Sequence, residues 1–97
     1  MNYKDYLLTK LAEECGELAQ VASKMNVFGV NSYDPADETK TTNEQHMNIE
    51  FNDVLAVMEM VKELLLLDVD RDESLIEAKK NKIDKMWNIA KRVNNHE

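Results

Sequence analysis

Leu7-Leu8-Thr9-Lys10-Leu11-Ala12-Glu13-Glu14-Cys15-Gly16-Glu17-Leu18 is the stretch whose reading decides the fold. Leu7, Leu11, Cys15 and Leu18, continued by Ala22 and Met25, recur at spacings of three and four. That period belongs to an amphipathic helix and not to a strand, which alternates every second residue. It predicts a first helix from about Tyr3 to Phe28, closed by Gly29 as a left-handed cap.

Outward from this helix, residues 30–42 form the one long polar connection, whose length suits either a functional lid or a mobile loop. Thr42-Asn43-Glu44-Gln45 has the spacing of a capping box and opens a second helix running to about Leu67. Asp68 to Asp72 make an acidic turn. Ser74-Leu75-Ile76-Glu77 repeats the capping-box spacing, and a third helix follows to about Asn94 with Ile76, Ile83, Met86, Trp87, Ala90 and Val93 as its stripe. Two glycines, one proline and an abundance of Glu, Lys, Leu, Ala and Met agree with an all-α chain. The 97 residues are read as a single all-α domain, 1–97.

The second helix is apolar around much of its circumference, through Val54, Leu55, Val57, Met58, Met60, Val61, Leu64 and Leu65. A helix apolar on most sides is buried on most sides, and three helices can hardly enclose it. A homodimer or homotetramer is therefore expected, with the three helices contributing to an oligomeric bundle.

A net charge of −7 speaks against a nucleic-acid partner, since no excess of Lys and Arg exists to displace counterions. The single cysteine, Cys15, excludes an internal disulfide and suits a reducing compartment. No stretch approaches the roughly 18 apolar residues of a membrane span. The expectation is a cytoplasmic protein with no membrane partner.

Acidic residues then stand out. Glu13, Glu14 and Glu17 lie in the first helix, and Glu50 and Asp53 in the second. Carboxylates three residues apart point the same way from a helix. At about 100° per residue, Glu50 falls about 40° from the centre of the stripe formed by Val54, Met58, Val61 and Leu65, with Asp53 beside it. Glu14 lies about 60° from the Leu11–Leu18–Ala22 centre and Glu17 about 120° on the same side. Acids beside a buried stripe are costly unless neutralised. A cluster of hard divalent cations such as Mg²⁺ does this with oxygen ligands; so does a structural salt-bridge network, and the residues alone leave both open. Cys15 and Trp87 read as core residues, the methionines as core or interface packing, and His46 and His96 receive no role.

Leu11-Ala12-Glu13-Glu14-Cys15-Gly16-Glu17-Leu18 followed by Glu50-Phe51-Asn52-Asp53-Val54-Leu55 resembles the all-α nucleoside triphosphate pyrophosphohydrolases, the MazG-like group, whose signature is Glu-Glu-x-x-Glu, a gap, then Glu-x-x-Asp. Lys24 with Phe28-Gly29 resembles small phage-type members, so a phage-encoded protein acting in host cytoplasm fits. The resemblance spans about residues 7 to 65. It implies Mg²⁺-dependent conversion of a (deoxy)nucleoside triphosphate to monophosphate and pyrophosphate, with Mn²⁺ as a substitute ion. By position, Glu14, Glu17, Glu50 and Asp53 would hold the metal, and Glu13 would orient or deprotonate the attacking water. Lys24, Lys82 and Lys85 would meet the substrate. The group's frequent Lys-then-Asn spacing of four is absent, since Asp84 precedes Asn88, and Asn52 stands where a small or apolar residue is common. The different-class alternative is a non-catalytic helical interaction module with structural salt bridges or a regulatory metal site.

Overall fold

A computed structural model describes residues 1–95, all helix and connection with no strand among them. His96 lies outside the described residues. The first helix, α1 (Tyr3–Phe28), starts where the Asp5 backbone N–H donates to the Asn2 side-chain oxygen at 2.8 Å. It stops at Gly29, whose φ of 101° and ψ of 160° lie in a region essentially reserved for glycine. The expected left-handed cap is thus a positive-φ cap with extended ψ, and it turns the chain outward into the connection.

That connection is tied down by its own polar residues. Asp34 and Asp37 accept from backbone N–H groups two residues on, at Ala36 and Thr39, both at 2.9 Å. Asp37 also accepts from the Thr39 hydroxyl at 2.6 Å, and these donors hold its carboxyl below the usual range. The Asn43 and Glu44 backbone N–H groups reach back to the Ser32 and Val30 carbonyls. The buried Asn43 side chain donates to the Gly29 carbonyl at 2.9 Å, so the two ends of the connection are stapled together.

α2 (Asn43–Leu65) opens with the capping box expected at Thr42 and Gln45, both reciprocal bonds being present. It ends two residues earlier than its apolar run, because Leu66 takes the left-handed conformation at φ 54°, ψ 45°. α3 (Glu73–Asn95) begins one residue ahead of the Ser74 signal, with Asp72 as its cap accepting from the Leu75 backbone N–H at 3.1 Å. Lys62 and Asp70, 2.5 Å apart, brace the turn between the two helices.

α1 and α2 pack as an antiparallel hairpin: Lys24 shares a cleft with Asn43 at one end, and Leu7 shares one with Leu64 at the other. Its buried apolar residues are Leu7, Val21 and Val61. Among the described residues α3 packs against neither helix. The radius of gyration is 17.6 Å, against about 12.5 Å for a compact chain of this length, so α3 projects from the hairpin.

This changes two expectations. Trp87, read as a core anchor, is 60% exposed on the projecting helix. Cys15, read as a small core residue, is exposed as well. The reason lies in helical register. α2 covers the line Leu7–Glu14–Val21, seven residues apart each, and Cys15 sits about 100° round from Glu14. The apolar circumference of α2 is only half covered, with Val54, Val57 and Met58 half-buried and Leu55, Met60 and Leu64 exposed.

Candidate metal centre

On α1 the seam of the hairpin runs Leu7, Glu14, Val21; on α2 it runs Asn43, Glu50, Val61. An acid therefore occupies the middle of each line, where an apolar residue would ordinarily stand. Burial of Leu7 and Val61 at one end and of Val21 and Asn43 at the other fixes how the helices meet, and this brings Glu14 and Glu50 together. Asp53, one turn beyond Glu50, completes the group. One carboxylate oxygen from each of Glu14, Glu50 and Asp53 lies within 4.8 Å of the other two.

The environment penalises negative charge at this point. Glu14 Oε2 and Glu50 Oε2 are buried and, among the described residues, have no hydrogen-bond partner. Burial first, then the Glu17 and Asp53 carboxylates, raise the Glu14 carboxyl above the ordinary glutamate value, with Lys10 opposing weakly. Burial first, then the closeness of the Glu17 carboxyl and the charges of Asp53 and Glu14, raise Glu50 in the same direction. Among the described residues no lysine is paired with either carboxylate. Lys10 is engaged with Glu13 at 3.2 Å, and Lys62 with Asp70. Among the described residues, none of the ion pairs includes Glu14 or Glu50, so the salt-bridge network left open by the sequence is not seen there.

Glu17 lies at the mouth of the group, exposed, in a cleft of about 360 Å³ lined also by Gln20, Lys24, Asn43, His46 and Glu50. Lys24 stands between this cleft and a second of about 450 Å³, bounded by Phe28, Tyr33 and Pro35. Polar residues near the acids thus give way, across one lysine, to aromatic residues at the end of α1 and in the pinned connection.

The remaining site residues are placed less centrally. Glu13 is exposed and paired with Lys10, outside the converging group. Lys82 and Lys85 are exposed on α3, which the chain does not bring to the acids. His46 and Asn43 line the acidic cleft and were not singled out from the sequence. His46 precedes Glu50 by four residues, a spacing that puts both on one helix face. That four-residue spacing is the signal in the sequence that links His46 to the acids.

No family model matches the chain, and neither a curated protein nor a solved structure matches it. The class that the fold and site define is an all-α chain bearing a partly exposed carboxylate cluster at the seam of a helical hairpin.

Proposed function

We propose that the protein is a Mg²⁺-dependent nucleoside triphosphate pyrophosphohydrolase of the kind its MazG-like resemblance implies. The observation that carries this reading is the pair of buried, unpartnered oxygens on Glu14 and Glu50, converging with Asp53. Such atoms call for a proton or a cation. A set made wholly of carboxylates suits a hard divalent ion, and Mg²⁺ bound there supplies phosphate-charge neutralisation and a more acidic water.

The rest of the work falls to the chain's own groups. Glu14, Glu50 and Asp53 hold the ion, with Glu17 at the open side of the cleft. Lys24 faces the phosphates from about two turns beyond Glu17 along α1, and the Phe28–Tyr33 cleft beyond it receives the base. Glu13, held by Lys10, accepts the proton of the attacking water, a role that requires a carboxylate outside the ion's ligand set. The phosphate-facing role goes to Lys24, and Lys82 and Lys85 are left without one in this proposal. No helix among the described residues is long and apolar enough to cross a membrane. Action on a free nucleotide in the cytoplasm is part of the proposal.

The test is direct. Purified protein with Mg²⁺ and a panel of common and modified nucleoside triphosphates is assayed for pyrophosphate release. Cleavage of at least one member is expected, and failure to cleave any, with helicity intact, overturns the enzymatic reading. The exposed stripe of α3 supports the competing reading of a non-catalytic interaction module, which predicts that failure.

A further inference from the structure

The third helix carries an apolar stripe that nothing among the described residues covers. Ile83, Met86, Trp87 and Val93 are each more than half exposed. Lys91 Nζ lies 5.5 Å from the Trp87 ring centroid, so a cation rides on the largest apolar side chain of the stripe. Side chains of this kind are expensive to leave in water.

The hairpin has the matching deficit. Leu18 and Met25 on α1, with Met47 and Phe51 on α2, line an open groove of about 470 Å³, and Glu44 stands at its edge. By helical register this groove lies on the other side of the seam from Glu17, Lys24 and His46. Covering it leaves the acidic cleft open.

Charge decides what covers it. Residues 1–72, which hold the hairpin and its connections, contain 15 acidic and six basic residues. Residues 73–95, the third helix, contain three acidic and six basic. Two hairpins pressed face to face would bring like charge to like charge. The third helix of another copy brings the opposite sign.

We propose that α3 is an exchanged arm: in a homodimer each α3 lies on the partner hairpin's groove, with Trp87 seated against Phe51 and Met47 and Lys91 beside Glu44. Two such arms, each about 35 Å long and about 10 Å wide, cover on the order of 1,400 Å² in total, the usual extent of a specific interface. The arrangement is isologous, since each copy gives the same helix and offers the same groove. It concerns assembly alone and does not rest on the enzymatic reading.

Trp87 is the chain's one tryptophan, so its emission reports the arm directly. Sedimentation equilibrium and tryptophan emission are measured on the full chain over the same concentration series, nanomolar to about 100 µM. A dimer is expected, with a blue shift that follows the same concentration midpoint. Phe51→Glu in the groove and Ile83→Glu on the arm are each expected to weaken association by about thirtyfold, the size of a lost central contact. Neither side chain is buried in the hairpin core, and circular dichroism confirms that helicity is kept. Lys91→Glu weakens association about two- to fivefold, and adding Glu44→Lys restores it.

A monomer throughout the series overturns the proposal. A dimer with unshifted Trp87 emission overturns it in favour of hairpin-to-hairpin packing. Blue-shifted emission in a dilute monomer overturns it in favour of an arm folded on its own hairpin. Undiminished association in Phe51→Glu or Ile83→Glu overturns it as well.

Discussion

Glu14 and Glu50 face one another across the seam of the α1–α2 hairpin, each with a buried oxygen that nothing in the described structure hydrogen-bonds. Both carboxyls are raised above the ordinary value of 4.5, burial being the largest cause. For an acid whose folded value is raised, the folded state binds the proton more tightly than the unfolded chain does. The stabilisation is complete below the unfolded value and is lost as pH rises through the folded one. Metal-free protein is therefore expected to melt at a higher temperature near pH 4.5 than at pH 7. Asp37 runs the other way, but its lowered carboxyl loses its contribution only below the ordinary 3.8, outside this window. Thermal melts in a chelating buffer check this, and a melting temperature that falls between pH 7 and 4.5 would show that the acids are ion-paired.

Replacing Glu50 by Gln removes one of the two half-buried carboxylates and keeps the shape. At pH 7 without metal, Glu50→Gln is expected to melt higher than the parent, because the repulsion from Glu14, Glu17 and Asp53 is relieved. The same change is expected to abolish stabilisation by millimolar Mg²⁺ and to cut turnover by about a hundredfold or more. Asp53→Asn is expected to share the loss of Mg²⁺ response with a smaller gain in metal-free stability, since Asp53 is the exposed member of the group. Paired melts with and without Mg²⁺ read both effects. A stability loss in metal-free Glu50→Gln is the contrary result.

Lys24 stands between the acidic cleft and the aromatic one, which gives it a binding role separable from the chemistry. Lys24→Ala is expected to raise KM about tenfold, the worth of one charge-assisted contact, with a smaller change in kcat. Steady-state kinetics on the best substrate of the panel tests this. An unchanged KM would move phosphate recognition elsewhere and reopen the case for Lys82 and Lys85.

The three helices were legible because their period and caps are local: Thr42 with Gln45 needed only its own sequence neighbours to be recognised. Glu50 was legible as an acid set within an apolar stripe. The depth of Glu14 was less so, since the stripe drawn through Leu11, Leu18 and Ala22 is centred away from the line α2 actually covers. Which line is covered depends on where Val61 and Asn43 press, a tertiary fact that periodicity on α1 does not contain. The same holds for Cys15 and Trp87. An apolar residue on a stripe is a residue that requires a partner, and a single chain's pattern does not say whether that partner lies in the same molecule. His46 was legible in principle, because four-residue spacing to Glu50 already places the two together.

Leu66 offers a test of backbone strain that separates the hairpin from its surroundings. It ends α2 in the left-handed conformation, which costs a branched side chain about 1–2 kcal/mol that glycine avoids. Glycine gains freedom in the unfolded chain and gives back about 0.5–1 kcal/mol of that. Leu66 is 90% exposed, so truncation removes almost no packing within the chain. Leu66→Gly is therefore expected to stabilise by about half a kcal/mol, a rise of about 2–4 °C in melting temperature. The strain is intramolecular and independent of concentration, so the rise should persist in dilute protein. A loss of stability that appears only at concentrations where the protein associates would instead place Leu66 under a second copy, because burial there would then outweigh the strain relieved.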